Sequence, residues 1–310
     1  MIKAEPYDHK RRDSMMHIQS MLTVAAEKAR TIWYRWLDRL YLPLDRRLVR
    51  RSRNLQLLPP AGYRTGGKFS YAEWAHVVGV FQTLLCLHLE KQVDNLILDV
   101  GCGTGLMGIA AEPFLGEAGK YVGLDVIRHY RQFWTQHYRS PRFEFIHFDA
   151  HNAAYAGDQE RQRPAWPLPS DQFDMVTALS VWTHLNEADA TFYFNEVARV
   201  LKPGGKALIT FFLLDVTYQR GVSQRSAQSS RYHMSPQDRW IFDRPAYDSD
   251  AWFCPRWAGI PEVAIGVTRP GLERLLASAG LVLLTPYPGN WKEAPGVFFQ
   301  DALVFQKPQL

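Results

Sequence analysis

The stretch Leu98-Asp99-Val100-Gly101-Cys102-Gly103-Thr104-Gly105 sets an acid near the end of a short apolar run and follows it with three glycines at alternate positions. Small residues so spaced let a backbone turn sharply and approach a ligand closely, and the N-terminus of a following helix would add free N–H donors. Gly103 to Gly108 also satisfies the GxGxxG spacing of a pyrophosphate-cradling loop. The glycines alone therefore leave the ligand open, and any one of them could be a mere tight turn. Two further acids narrow the choice. Asp125 lies twenty positions past Gly105 and closes a second apolar run, where a carboxylate can accept both hydroxyls of a ribose. Asp149 closes a third, where it can accept from an adenine amino group. Either could be a strand-end cap; both together, behind an acid and a glycine loop, mark a ligand held at the carboxyl edge of a sheet.

The elements that must position these residues follow from hydrophobic patterning. Apolar runs at Leu96–Val100, Tyr121–Leu124, Phe143–Phe148, Phe173–Leu179 and Lys206–Leu214 alternate with helical patterns, clearest over Ala188–Leu201. Such alternation predicts a parallel sheet covered on both faces. A helix near Pro270–Ala279 and strands at Leu281–Thr285 and Val297–Phe305 complete the main domain, expected over residues 70–310. Residues 217–261, rich in Ser, Gln, Arg and aromatics, break the rhythm and read as an irregular, lid-like insertion. Before the domain lies an extension over residues 1–69, polar and frayed over 1–20, helical over 21–42 and interrupted by Pro43. Ser70 and Glu73 form a capping-box pair at the head of a helix running to about Lys91.

Leu98–Gly105, Gly123-Leu124-Asp125, Phe148-Asp149-Ala150 and Leu201-Lys202-Pro203-Gly204-Gly205, in this order, resemble the motifs of class I S-adenosylmethionine-dependent methyltransferases. Ser180-Val181-Trp182-Thr183-His184-Leu185, Thr210–Leu214 and Tyr287-Pro288-Gly289-Asn290-Trp291 to Asp301 further resemble a bacterial branch that accompanies saccharide-processing enzymes. The resemblance implies a Rossmann-like, doubly wound, mostly parallel seven-stranded sheet with a final antiparallel strand. It also implies S-adenosyl-L-methionine as cofactor. Gly101, Gly103 and Gly105 would approach its amino-acid end, with Asp99 fixing the loop and the methionyl ammonium. Asp125 would hold the ribose, and Asp149 with the Ala150 backbone the adenine. Cys102, Leu106, Val126 and Ser180 would complete that surface, Cys102 as a small packing residue, while Leu201–Gly205 would serve as a turn feeding the fifth strand.

A sulfonium methyl is already activated, so the protein must chiefly align a nucleophile and exclude water. A hydroxyl acceptor also benefits from a base, and His184, following the fourth strand, is the candidate; a helix-capping or backbone-bonding role is the alternative. Trp182, Tyr232, His233 and Trp291 are candidate acceptor contacts, with Trp252 and Trp257 also of interest, because aromatic faces stack on sugar rings; each could instead fill a core. The expected acceptor is a small molecule, a hydroxyl of a saccharide or related biosynthetic intermediate. Methylation on nitrogen or carbon, a non-catalytic binding module and a nicotinamide-dependent oxidoreductase are the competing readings. The last leaves Asp149 and the Leu201–Gly205 turn unexplained.

Charge is uneven. Eight arginines against two aspartates fill residues 30–53, a net +6 where the whole chain carries +5, so the remainder is near neutral and argues against a nucleic-acid groove. This stretch is either a basic amphipathic helix on an anionic membrane or a helix packing its aromatic side inward. Three dispersed cysteines without a CxxC pair predict no disulfide framework or metal site and fit a cytoplasmic protein, and no apolar run is long enough to span a bilayer. The start of the chain lacks the pattern of a signal peptide. Oligomeric state is left open.

Overall fold

The computed structural model describes residues 28–44, 52–66, 69–155 and 163–309; the fraying expected over residues 1–20 lies outside them. The chain divides into two compact units, Met1–Trp74 and Ala75–Leu310.

In the first unit, α1 (residues 28–44) is helical as its apolar spacing predicts, and Pro43 does not end it within the described residues. The Asp38 carboxylate accepts from the Arg64 guanidinium and from the Ala61 N–H, both at 2.8 Å, tying the helix to the chain that follows. The capping box forms as expected: Glu73 N–H donates to Ser70 Oγ at 3.1 Å and the Glu73 carboxylate accepts the Ser70 N–H at 3.1 Å, starting α2 (Tyr71–His88).

The second unit is built on a mixed sheet. Strands β1 (Leu96–Val100), β2 (Lys120–Asp125), β3 (Phe143–His147), β4 (Phe173–Ala178) and β5 (Leu201–Leu214) pair in parallel in the order β3-β2-β1-β4-β5. Helices α3 (Leu106–Ala111), α4 (Tyr130–His137) and α5 (Glu187–Val200) lie between them in sequence. Helix α5 starts at Asn186, whose side chain accepts from Asp189 N–H. The far edge of β5 is shared. Its residues 206–211 pair antiparallel with β10 (Asp301–Gln306), which pairs antiparallel with β9 (Val282–Tyr287). These seven strands are the Rossmann-like, mostly parallel sheet with a final antiparallel strand. Strand alternation divides β1 between two faces. Leu98 and Val100 join the main core with Phe194 and Val197 of α5 and Leu272 of α7 (Arg269–Ala279), each such side chain contributing about 1.5–3 kcal/mol of burial.

Two expectations are corrected. The final strand begins at Asp301 rather than Val297, because the carbonyls of Phe298 and Phe299 accept from the N–H groups of Asn290 and Trp291 instead of joining the ladder. Residues 217–261 are not irregular throughout. After α6 (Val216–Gly221) they supply an antiparallel pair, β6 (Phe242–Pro245) and β7 (Trp252–Pro255). That pair joins the sheet through β8 (Gly266–Thr268), which lies parallel to the last three residues of β5. The described residues thus hold ten strands rather than seven. The hairpin carries no glycine at its bend: Tyr247 and Asp248 take positive φ (52° and 61°), where sequence signals favour Gly or Asn.

Candidate cofactor and active site

The glycine loop is held from above and below. Gly101 and Cys102 both donate N–H bonds to Leu124 O (2.7 and 3.1 Å), pinning the loop to the end of β2. All three loop glycines have positive φ, +67°, +53° and +92° in order. At Gly105 a Cβ would lie 2.3 Å from Tyr138 Oη, and at Gly101 2.4 Å from a Val181 methyl, so neither position accepts a side chain. Behind the loop stands an aromatic buttress. Trp134 Nε1–H donates to Gly103 O at 2.8 Å while its ring stacks on Phe145, and Tyr138 O–H donates to Thr104 O at 2.8 Å. Leu106 is buried at the head of α3. Cys102 is buried, and its thiol is pushed well above its ordinary range by burial and then by the Asp125 and Asp99 charges.

The acids separate into two kinds. Asp125, at the end of β2, accepts the Gly103 N–H at 2.7 Å on one oxygen and the Ile127 N–H at 2.8 Å on the other. Each oxygen keeps a lone pair for a further donor, the need of a ribose diol. Burial raises its carboxyl, opposed by those two N–H groups and by nearby His147 and His129. Asp149 is exposed beyond β3, next to buried Ala150, whose N–H donates to Phe148 O. Val126 is partly buried, its carbonyl 3.2 Å from the His147 ring.

Asp99 belongs elsewhere. It is 1% exposed, with one oxygen accepting the Tyr121 hydroxyl at 2.6 Å and the other the Thr177 hydroxyl at 2.8 Å. Burial pushes its carboxyl up to about 7 against the pull of those hydroxyls, and the Asp125 charge adds to the rise. Its two oxygens are thus engaged by hydroxyls of the neighbouring strands β2 and β4.

At the end of β4, Ser180 sits at φ +61°, a left-handed conformation that costs a non-glycine residue roughly 1 kcal/mol or more. Three contacts hold it there, and a fourth bond joins two of its partners. Its N–H donates to Thr210 Oγ1 (2.7 Å), its Oγ contacts Thr183 Oγ1 (3.2 Å) and accepts from Gln300 Nε2 (2.9 Å), and Thr210 donates to Gln300 Oε1 (2.7 Å). His184 ends the short 3-10 helix Trp182–His184. Its Nδ1 lies 2.7 Å from Glu262 O, a pairing that requires Nδ1–H, and leaves Nε2 as an acceptor 3.3 Å from the Tyr155 hydroxyl. Burial holds the ring below its ordinary pKa, with the Glu262 carbonyl pulling the other way. Glu262 is itself braced, its carboxylate accepting the Tyr247 hydroxyl on both oxygens (2.9 and 2.8 Å).

The aromatic candidates are mostly reassigned. Trp182 is 2% exposed, packs on Phe194 and Phe211, and donates to Ala190 O: it is core. Trp291 is fully buried among Phe212, Tyr218 and Phe242, its Nε1–H bonded to Asp301 at 2.9 Å; Trp252 is equally buried. Packing into these apolar clusters takes Trp182 and Trp291 out of reach of an acceptor. Tyr232 is half-buried beside Arg231, and His233 pairs with Glu293 at 3.1 Å against the Phe299 ring. No described bond joins either to His184 or Asp125. A cleft of about 550 Å³ is edged by Arg239, Asp243 and Trp257, and of the sequence-derived candidates its lining includes Trp257 but neither His184 nor Asp125. Sequence reasoning missed Tyr121, Thr177, Trp134, Tyr138, Tyr155, Thr210, Glu262 and Gln300. Thr210 and Gln300 fall in recognised stretches but carry no motif of their own.

Residues 97–205 match the family described as a methyltransferase domain, a span that takes in the loop, Asp125, Asp149 and His184. Among solved structures, the chain is similar to an S-adenosylmethionine-dependent methyltransferase from Mesorhizobium loti, with 14% identity over 73% of this chain and 97% of that one, TM-score 0.48. It is also similar to a SAM-dependent methyltransferase from Methanosarcina mazei (18% identity, 73% and 98%, TM-score 0.46). A third is the 1,6-didemethyltoxoflavin-N1-methyltransferase of Burkholderia thailandensis, solved with S-adenosylhomocysteine (13%, 77% and 81%, TM-score 0.43). Residues 97–205 thus form a methyltransferase domain, and the activity that it supports is S-adenosylmethionine-dependent methyl transfer. Its residues fit the cofactor: Asp125 has free lone pairs beside a loop that admits no Cβ, and Asp149 offers an exposed carboxylate beyond the next strand.

Proposed function

We propose that the enzyme methylates a hydroxyl of a small-molecule acceptor, a saccharide or related biosynthetic intermediate, with His184 as the base. When bound, S-adenosylmethionine supplies an electrophilic methyl whose leaving group is a neutral thioether. Asp125 and Asp149 hold the nucleoside end, and the glycine loop receives the amino-acid end. The observation that carries the proposal is the Nδ1 pairing of His184 with Glu262 O, which leaves Nε2 as the accepting nitrogen, held only by a 3.3 Å contact with the Tyr155 hydroxyl that an acceptor hydroxyl would replace. A ring kept neutral by burial is ready to take a hydroxyl proton as the oxygen attacks. Exposed Tyr155, with its ring 5.1 Å from that of His184, offers a face on which a sugar can stack. The 217–261 segment, through Tyr247 on Glu262, supports the base and walls the acceptor side.

Two measurements test this. Product analysis with labelled cofactor should find the label as an O-methyl ether; label on nitrogen or carbon overturns the acceptor class. His184→Ala should lower kcat by about 10²–10⁴-fold with cofactor Kd unchanged. It should also remove an acidic limb of the wild-type rate profile whose midpoint lies below 6.5. Undiminished turnover removes His184 as base.

A further inference from the structure

We propose that α1 seats the enzyme on an anionic lipid surface. The helix is turned the opposite way from a packing element. Its acid, Asp38, faces inward to the Arg64 guanidinium and the Ala61 N–H. Arg64 has no exposed side-chain area and also donates to Pro59 O and Phe69 O, so this anchor fixes the rotation of the helix within its unit. Ile32, Trp33, Trp36, Leu40, Tyr41 and Leu44 lie on the other side, each more than half exposed. At about 100° per residue, their positions fall within about half the helix circumference. Trp33 and Trp36 stack with centroids 5.8 Å apart. A trough of about 400 Å³ between Tyr34, Leu37, Leu42 and Tyr71 adjoins this face.

Contiguous exposed apolar surface calls for a partner, and two features choose lipid. Trp and Tyr favour the boundary between headgroups and hydrocarbon, and three of the six exposed side chains are of those types. The same stretch, residues 30–53, carries the net +6, which complements anionic headgroups. The helix would lie in the interface, since no described helix is long and apolar enough to cross a membrane. This inference does not depend on which acceptor is methylated.

The test is sedimentation of the full chain with phosphatidylcholine vesicles, with and without phosphatidylserine, at low and high salt. Binding is expected to the anionic vesicles alone and to fall as salt rises. Trp33→Ser/Trp36→Ser/Leu40→Ser should lose it while keeping the cofactor Kd, which reports an intact fold. Arg39→Gln, an exposed arginine on α1, should weaken partitioning about fivefold, the equivalent of roughly 1 kcal/mol per basic residue near such a surface. Failure to bind anionic vesicles at low salt overturns the proposal, as does equal binding by the serine variant. A dimer that the serine variant splits, without vesicle binding, assigns the face to a second copy and overturns it too.

Discussion

The two sides of the catalytic edge are assembled over different reaches of chain. On the cofactor side, the ligand-facing contacts close short loops: Gly103 to Asp125 spans 22 positions, Asp125 to Ile127 two, and Trp134 to Gly103 31. Beyond β4, towards the acceptor side, Ser180 of the expected cofactor surface depends on Gln300, 120 positions away, and the proposed base His184 on Glu262, 78 away. Local closure couples residue type to spacing, so the cofactor half can be read as a motif. Distant closure leaves each partner free to drift in sequence, and only the folded sheet reunites them. The comparison implies that cofactor affinity and turnover are separable by mutation.

The largest expected effect is Asp125→Ala. It removes the two ribose contacts proposed for this carboxylate, each charge-assisted and of about 1.5–3 kcal/mol, and should weaken S-adenosylmethionine binding at least about 100-fold by calorimetry. It also strips acceptors from the Gly103 and Ile127 N–H groups, so thermal stability should fall. A Kd within a few-fold of wild type would break the assignment of this half to the cofactor.

Next is Gly105→Ala. The φ of +92° costs an L-residue about 1–2 kcal/mol, and the added Cβ would press on Tyr138 Oη. Cofactor affinity should drop about tenfold together with stability. Tyr138→Phe in the same chain should recover part of both by removing the obstructing hydroxyl, whereas recovery of neither would place the strain elsewhere.

Tyr247→Phe moves to the acceptor side with a smaller effect. Glu262 is 3% exposed, and loss of the phenol leaves its carboxylate short of donors, for a cost of about 1–3 kcal/mol. Because the Glu262 carbonyl orients His184, kcat should fall several-fold while cofactor Kd holds. A change in Kd equal to that in kcat would show that the two halves are not independent.

The same contrast explains what the sequence made legible. The seven strands of the Rossmann-like sheet follow from apolar runs and glycine punctuation, and α5 and α7 from their periodicity. The β6–β7 hairpin does not, because its bend puts Tyr247 and Asp248 where glycine or asparagine would announce a turn. Trp182 and Trp291 look like acceptor contacts in sequence, since aromatic chemistry serves a core and a sugar pocket equally. Their burial is decided by neighbours such as Phe211 and Phe212 of β5, distant along the chain. Asp99 is the exception on the cofactor side. Its position in the motif is plain, but its partner Thr177 is 78 residues away, and with it the inward direction of the carboxylate.

Asp99 therefore gives the subtlest prediction. Its folded-state pKa, about 7, lies above the unfolded value near 3.8, so the native protein binds the proton more tightly. Its contribution to stability is then fully present below about pH 3.8 and declines as pH rises through about 7. An Asp99→Asn variant keeps the shape and cannot ionise; its amide would accept from one of the two hydroxyls and donate to the other. Unfolding midpoints measured from pH 5 to 8 should fall less for the variant than for the wild type, the two curves converging or crossing toward the alkaline end. Cofactor Kd should change by no more than a few-fold, because both carboxylate oxygens are already engaged by the Tyr121 and Thr177 hydroxyls. Parallel curves would mean that this buried acid does not titrate in the range, while a large loss of affinity would return Asp99 to the ammonium contact that its motif position suggests.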